Sequence, residues 1–584
     1  MPARGSGIRE KLKSASQPDS NAPAGDVLKR LYKKGKLSAP DIVEASQALP
    51  RSSGTAIQNG PSKWATAGHG RRKHMSREIM KSMTTSSTKP EIYSTHMTFW
   101  DPDLNEQVED EVYCLIPYET VDKLADRDGD LSQYTSLPEG SPFLRRKAEW
   151  MERVGAQGDG HDIVCCGLWG DGAAYHTRDS LNLLLFNMIS GIIRTRFWIA
   201  TWSKRLSCNC GCHGRCTLAS FWRFLAWMFT AWMTGIYPLV RDDGTLFEDS
   251  DRPGDKQRAE WGRQKRPMRT RGALLQERAD WSWHKCLLGL CGWAGEGALL
   301  RRCFKCLANT STLPFTDPTL NALWRARYIN HYLFMQLAFA SGNFISEIFD
   351  IPGFRYEYID LDLMHTGDLG ITQVLLGNTL LELFFKIGGV VTKPGEAMGE
   401  LTMLIKMAAK QIDPPMDSPP LNKMAYTMIR QGAKPPRLRA KAAETRGMLR
   451  CVRHLLGKYF KPENDHEVLR LQCVIALSDF YASLVAKPFK GGVTSDLGRR
   501  RLILYAELCK EAAGDTGMMP VFWKWYPKHH QFSHLCEDQV RDCGNPMDHW
   551  CYADEDAIGQ AVHVAESGHA KTLHRLVIEK HRIE

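Results

Sequence analysis

The sequence predicts an α/β fold, with strands early in the chain and a block of helices after them. Two apolar segments, His161–Asp171 and Arg196–Trp202, are predicted to be buried strands because each is a short apolar run bounded by polar or turn residues. The stretch between them, Leu181–Ile193, is predicted to be helical. From residue 371 to 514, apolar residues recur at helical spacing. These observations together indicate an α/β core and a helical block.

The positive charge of the chain is concentrated near its start. The protein has 584 residues, 43% of them hydrophobic, and a formal net charge of +10. Residues 1–90 hold 17 Lys and Arg against 6 Asp and Glu, a net of +11, so the remainder is close to neutral. This segment has too little apolar surface to offset the entropy of ordering, and we expect a disordered basic tail. Basic runs of this kind bind phosphates or direct nuclear entry, so the expected location is the nucleus.

Acidic residues far apart in the sequence are candidates for one metal site. Asp171 ends the first predicted strand, and Asp280 follows a predicted strand at 272–277. The late segment Tyr526–Gly559 mixes histidines, acids and aromatic residues, which costs stability in a core and indicates a site. Phosphoryl transfer with Mg²⁺ or Mn²⁺ requires two or three clustered carboxylates, because these ions prefer oxygen ligands. An acid from the late segment would complete such a set.

The order of these segments resembles the eukaryotic cut-and-paste transposases of the Kyakuja-Dileera-Zisupton and CACTA/Plavaka groups. Those families have a ribonuclease-H-like core with an Asp-Asp-Glu/Asp triad. The resemblance covers about 161–565 and implies Asp171, Asp280 and Glu555 as catalytic ligands of Mg²⁺ or Mn²⁺. The other matching residues are Asp362-Leu-Met-His365, Pro527, His530, His534, Gly544-Asn-Pro546, Trp550 and Gly559.

The sequence departs from the family pattern at the third acid. Glu555 lies between Asp554 and Asp556, where the family has an acid followed by Arg, so either neighbour could take the role. Glu444, on a predicted helix, is a further candidate. The histidines of the late segment are expected to position groups or to contact DNA.

We expect five regions and a ribonuclease-H-like α/β core interrupted by a large α-helical insertion. The five regions are a disordered basic tail over 1–90, a small N-terminal region over 91–160, the core with cysteine-rich insertions over 161–370, the helical insertion over 371–514, and the C-terminal part of the core with the third acid over 515–584.

A first cysteine-rich motif predicts structural zinc. The 17 cysteines are an odd number, and no apolar leader follows the first Met, so thiols and metal ligands are favoured over disulfides. Tetrahedral Zn²⁺ takes four thiolate or imidazole ligands. The spacing matches no standard zinc finger, which leaves open which four residues bind. The predicted ligands are Cys208, Cys210, Cys212 and Cys216.

A second motif, Cys303-Phe-Lys-Cys306, is half of a zinc site. On the resemblance, His365 is the candidate third ligand. Two other interpretations stay open, namely that the cysteines are buried thiols and that His365 pairs with Asp368 in the core.

A basic loop is the predicted DNA-binding element. Segments 434–441 and 499–501 are further basic patches. Cations in such patches neutralise phosphates and give salt-dependent affinity with little sequence preference. DNA is therefore the expected partner, and a homo-oligomer is a second one. The cations of the loop are Arg263, Lys265, Arg266, Arg269 and Arg271.

Three functions follow from these patterns. The first is a transposon-derived protein that cleaves and transfers DNA strands. The second is a catalytically inactive descendant that binds zinc and nucleic acid. The third is a membrane-associated protein that uses Thr217–Val240, an apolar segment of spanning length; since Arg223 lies inside it, a buried helix is the preferred prediction.

Overall fold

The computed structural model describes residues 28, 31, 42–43 and 90–582, apart from 192–195, 253, 289–302, 341–344, 389–393, 413–420, 515–521 and 567. The predicted disordered tail over 1–90 therefore falls almost entirely outside the described residues.

Seven strands form one mixed sheet in the order β1-β2-β5-β4-β3-β6-β7. From β1 to β3 all neighbours are antiparallel, whereas β6 runs parallel to β3 and β7 runs parallel to β6. Residues 91–160 contribute the hairpin β1–β2 to this same sheet. The strands are β1 (Tyr93–Asp101), β2 (Glu106–Cys114), β3 (Ile163–His176), β4 (Asp179–Met188), β5 (Arg196–Ser203), β6 (Arg271–Ala279) and β7 (Ile359–Leu361).

Helices cover both faces of the sheet, and the predicted helical block is present between β7 and the C-terminal helices. Short π-helices occur at Met364–Thr372 and Leu535–Gln539. Among the described residues, the α-helices of eight or more residues are α1 (Pro117–Asp128), α2 (Phe143–Val154), α3 (Arg215–Thr234), α4 (Asp255–Arg263), α5 (Trp281–Leu288), α6 (His331–Ala340), α7 (Gln373–Gly388), α8 (Pro394–Gln411), α9 (Ala442–Lys458), α10 (Asp465–Val485), α11 (Gly491–Gly514), α12 (Pro527–His534), α13 (Tyr552–Ala565) and α14 (Leu573–Arg582).

The two faces of the sheet carry separate parts of the core. Leu181, Leu183 and Leu185 of β4 pack on one side with α13 and α14. Leu184 and Phe186 belong to the cluster on the other side, which includes α3. Successive strand residues point to opposite faces, so a strand covered on both sides becomes a continuous apolar run.

This double burial explains why the predicted helix at 181–193 is wrong. Residues 181–188 belong to β4 instead and pair with β3 and β5, while residues 192 and 193 lie outside the described residues. A leucine-rich run without polar alternation is compatible with a buried helix and with a buried strand. Pairing with two neighbouring strands, which the local sequence does not encode, decides the outcome.

The apolar segment 217–240 forms a helix buried on the sheet. Helix α3 ends at Gly235 and packs against β1 and β6. Gly272 of β6 allows this approach, because a Cβ there would lie 2.1 Å from the ring of Trp232. Within the described part of the chain, one helix is long and apolar enough to cross a membrane by length and composition, and it is α10, which packs between α9 and α11.

Candidate metal centre at the sheet edge

Asp171 and Asp280 lie side by side at the carboxyl edge of two parallel strands. Trp169 of β3 pairs with Arg278 of β6, and each aspartate is two residues further along. Neighbouring strands are about 4.8 Å apart. Asp171 is therefore level with Asp280, but it lies inside β3, which continues to His176 in pairing with β4, whereas the sequence predicted a strand that ends at Asp171.

Local packing fixes both aspartates. A carboxylate oxygen of Asp280 accepts a hydrogen bond from the backbone N–H of Trp283 at 2.7 Å, in the first turn of α5. The Trp283 ring then lies against Gly170, where a Cβ would be 2.0 Å from the ring. The glycine beside Asp171 is thus required for α5 to sit over the strand end.

A third aspartate follows the next parallel strand. Leu361 of β7 pairs with Ala279 of β6, so Asp362 is level with Asp280. Buried Asp362 accepts hydrogen bonds from the N–H of His365 at 2.7 Å, its imidazole Nδ1 at 2.8 Å, and the N–H of Cys551 at 2.8 Å. Asp362 therefore orients the ring of His365 and anchors the start of α13.

Glu555 reaches this edge from the first turn of α13. One ligand atom each of Asp171, His365 and Glu555 lie within 4.8 Å of one another, close enough to hold a metal ion. The Nε2 of His365 is 3.6 Å from a carboxylate oxygen of Glu555. Two acids and one imidazole from three separate elements thus converge at one point.

The three other candidate acids occupy different environments. Asp554 is buried and forms ion pairs with Arg196 at 2.5 Å and Arg278 at 3.4 Å. Asp556 is exposed. A Glu444 oxygen accepts a hydrogen bond at 2.9 Å from the backbone N–H of Lys441 and so caps its own helix, α9. Of these acids, Glu555 is the one grouped with Asp171.

Burial is the main cause of the raised pKa values of the acids at this edge. Burial, followed by the charges of Asp280 and Glu555, raises the pKa of Asp171 to about 7. Burial also raises the pKa of Glu555, although the charge of His365 opposes this. For His365, burial alone would lower the pKa, but the hydrogen bond and charge of Asp362 raise it to about 9. The charge of His365 thus balances part of the negative charge of these acids, and a bound cation would balance more of it.

Lys528 is a neighbour of the site that the sequence did not indicate. It lies in the first turn of α12, and its Nζ donates to the carbonyl oxygen of His365 at 2.8 Å. Burial and the charge of Arg437 lower its pKa to about 8, while Asp280 and Asp362 oppose this. Helix α12 therefore brings a cation against the aspartates.

The first cysteine motif converges as predicted. One sulfur from each of its four cysteines lies within 4.8 Å of the others, so this cluster could hold a metal ion such as zinc. Gly211 and Gly214 both have positive φ, which lets the short loop wrap. The grouped residues are Cys208, Cys210, Cys212 and Cys216, and exposed His213 is outside the group.

The two cysteines of the second motif lie next to histidines other than the predicted His365. Cys303 and Cys306 are grouped with His530 and His534, all four buried. His365 is instead grouped with the acids, because its ring is held by Asp362. This corrects the sequence-based ligand set. The His-x-x-x-His spacing on a helix, which puts two rings on one face, is the signal that could have revealed it.

The late histidines are buried, which is at odds with surface contact to DNA. His529 packs against Tyr505 with ring centroids 4.3 Å apart. His530, His534 and His549 are also within the fold. The Nδ1 of His529 accepts from the backbone N–H of Tyr526, whereas its buried Nε2 has no hydrogen-bond partner, and His530 and His534 belong to the cysteine group.

The basic loop lies at the opposite end of the sheet from the acids. Arg271 begins β6 and Asp280 follows its end, so about nine residues of strand, roughly 30 Å, separate them. Arg271 forms a two-bonded ion pair with Asp162, and Arg269 pairs with Asp126 at 2.7 Å. The remaining contacts are Arg263 with Glu248 at 3.8 Å and Arg266 over the ring of Trp261 at 4.9 Å. Lys265 has a positive φ of 47°. The loop that the sequence predicts to bind DNA is therefore distant from the acids.

A different basic segment lies near the acids. Gln373, Arg437, Arg439, Lys441 and Glu444 line a groove beside the π-helix that carries His365. Arg437 donates to the carbonyl oxygen of Leu369 at 2.6 Å, one turn along that helix. The patch at 434–441 therefore adjoins the π-helix that carries His365.

No protein-family model matches this chain, and no curated protein matches it significantly. The site is accordingly interpreted from its own geometry.

Proposed function

We propose that the protein is a transposon-derived DNA-binding protein that cleaves and transfers DNA strands with the help of Mg²⁺ or Mn²⁺. The proposed metal ligands are Asp171, Asp280 and Glu555. The observation that carries the proposal is the convergence of Asp171 and Glu555 beside Asp280 at the carboxyl edge of parallel strands. Nuclear location and a homo-oligomeric state remain predictions.

The strand pattern supports a ribonuclease-H-like core. Three antiparallel strands, β5, β4 and β3, are followed by two parallel ones, β6 and β7. The first two acids are on neighbouring strands and the third is on a helix that packs against β3. The helices α7–α11 lie between β7 and α13 in the chain, which is consistent with an insertion.

The donor set suits a hard divalent cation. Carboxylate oxygens are the ligands that Mg²⁺ and Mn²⁺ prefer. Burial is the main cause of the raised pKa values of Asp171 and Glu555, and a bound cation would favour their ionised forms. A bound ion would activate the attacking oxygen and stabilise the leaving one. His365 is close enough to be a further ligand.

The chain's own residues position this site. Asp362 holds the ring of His365 and the start of α13, which carries Glu555. Exposed Arg439 and Lys441 in the neighbouring groove would bind the phosphates of a DNA strand that reaches the acids. For the cluster at Cys208, Cys210, Cys212 and Cys216, structural Zn²⁺ is the proposed ion.

Mn²⁺-dependent nicking of supercoiled DNA tests the proposal. The wild-type chain is expected to nick, whereas Asp171→Asn is not, because the variant loses a carboxylate ligand. Equal nicking by both proteins would sink the catalytic assignment. If neither nicks but both bind DNA, the catalytically inactive zinc- and nucleic-acid-binding alternative is favoured.

A further inference from the structure

The second cysteine motif and helix α12 form a buried four-residue cluster. Cys303 and Cys306 lie between β6 and β7, and His530 and His534 lie on α12, more than 220 residues later. All four side chains are at most 2% exposed, and one ligand atom of each is within 4.8 Å of the others. Two sulfurs and two imidazole nitrogens at this spacing are a tetrahedral zinc set.

Hydrogen bonding around the cluster indicates which ring atoms face its centre. The Nδ1 of His534 is 2.7 Å from a carboxylate oxygen of Asp538, so that nitrogen carries the proton and donates. Its Nε2 faces the Nε2 of His530 at 3.2 Å and is the atom available to a metal ion. The same His530 nitrogen is 3.2 Å from the sulfur of Cys306. These three atoms lie close enough to coordinate one cation, which would take the place of the proton that the pair of rings otherwise shares.

A carboxylate behind a histidine ring is a common support for a zinc ligand. It fixes the ring and raises the basicity of the coordinating nitrogen. Asp538 is itself held by the hydroxyl of Tyr328 at 3.0 Å. On the sulfur side, the backbone N–H of Lys305 donates to the sulfur of Cys303 at 3.3 Å. The cluster thus has a second layer of contacts on both sides.

Apart from Phe304, which packs in the main core, the segment that carries the cysteines has a small core of its own. Its own buried cluster comprises five residues with two partly buried neighbours. Small cores of this kind depend on a metal ion or a disulfide for stability. A disulfide between Cys303 and Cys306 would leave two adjacent buried imidazoles unexplained, at a cost in desolvation.

We infer that Cys303, Cys306, His530 and His534 bind one Zn²⁺ ion that fastens the segment around residues 303–328 to helix α12. Trp324 packs against both histidine rings, at 4.5 and 5.1 Å between centroids, and Arg325 forms a two-bonded ion pair with Glu537 just beyond. The same helix carries Lys528 to the carbonyl oxygen of His365. This inference does not depend on the proposed nuclease chemistry.

Zinc content of the purified full-length chain tests the inference. His534→Ala is expected to contain one zinc per chain fewer than wild type, because one of four ligands is lost. Cys536→Ala is the matched control: it removes a neighbouring buried thiol outside the cluster, so the zinc content should be unchanged. Cys212→Ser should remove the ion of the other cluster only. Equal zinc in His534→Ala and wild type, or a Cys303–Cys306 disulfide in the isolated protein, would overturn the inference.

A milder variant keeps the test valid if His534→Ala does not fold. Asp538→Asn leaves all four ligands and should weaken zinc affinity about 10–100-fold in competition with a chelator. Zinc removal should also speed amide hydrogen exchange in Pro527–His534. Unchanged affinity in Asp538→Asn, or unchanged exchange after zinc removal, would contradict the proposed fastening of α12.

Discussion

The imidazole Nε2 of His365 lies 3.6 Å from the carboxylate of Glu555. His365 belongs to the π-helix after β7, whereas Glu555 belongs to α13, beyond the whole helical block. Asp362 fixes both sides of this contact, since it accepts from the His365 ring and from the N–H of Cys551. The site is therefore assembled by one buried carboxylate.

Glu555→Gln is expected to lower Mn²⁺-dependent nicking at least about 100-fold, because metal stabilisation of a transition state contributes several kcal/mol. The measurement is the initial rate of nicking at saturating Mn²⁺. Asp556→Asn, on the exposed side of the same turn, should retain the wild-type rate. If Asp556→Asn lost nicking and Glu555→Gln kept it, Asp556 would be the third metal ligand. If Glu444→Gln alone lost nicking, the third ligand would be Glu444 of α9.

Asp554→Asn is expected to destabilise the fold by about 3–5 kcal/mol, because it leaves the buried cations Arg196 and Arg278 without their carboxylate. Urea unfolding followed by circular dichroism measures the change. Asp556→Asn is the control and should change the free energy of unfolding by less than about 0.5 kcal/mol. A similar small effect for Asp554→Asn would refute a structural role for the buried pair.

His466 is expected to stabilise the helical block more at mildly acidic than at alkaline pH. Its ring lies 3.0 Å from Glu382 and 3.1 Å from Glu511. Burial would lower its pKa, but the hydrogen bond and charge of Glu382 raise it above its usual range. A raised folded-state pKa gives stability that is complete below the unfolded pKa of 6.5 and is lost as pH rises through the folded one.

The test is to measure the free energy of unfolding of wild type and His466→Gln from mildly acidic to alkaline pH. The difference between them should be largest at mildly acidic pH and should shrink as pH rises. His563→Gln, which changes an exposed histidine, should give no such trend. A difference that grows with pH would show that burial outweighs the two carboxylates.

Arg439→Gln with Lys441→Gln is expected to weaken DNA binding and to flatten its salt dependence. Each lost phosphate contact reduces the slope of log affinity against log salt by about 0.9, so the double variant should lose roughly 1.8. Fluorescence anisotropy with a labelled duplex over a salt series measures the slope. Arg263→Gln with Arg269→Gln, at the other end of the sheet, should leave it unchanged. A loss of slope in that control pair alone would restore the loop as the DNA contact.

The sequence alone determined the features that depend on local pattern. Apolar runs predicted the strands that carry Asp171 and precede Asp280, although β3 continues past Asp171 to His176, and helical periodicity predicted helices α7–α11. Cysteine density predicted the cluster around Cys208. These properties follow from neighbours within a few residues, for which spacing carries the information.

Only the tertiary structure decided which distant residues meet. It turned the leucine-rich segment at 181–188 into a strand through pairing on both sides, and it grouped Cys303 and Cys306 with His530 and His534 in place of His365. It also separated Glu555 from Asp554 by the direction in which each side chain leaves α13. Sheet pairing and helix packing bring together side chains that are hundreds of residues apart in the chain. The local sequence pattern does not specify which of these distant residues come into contact.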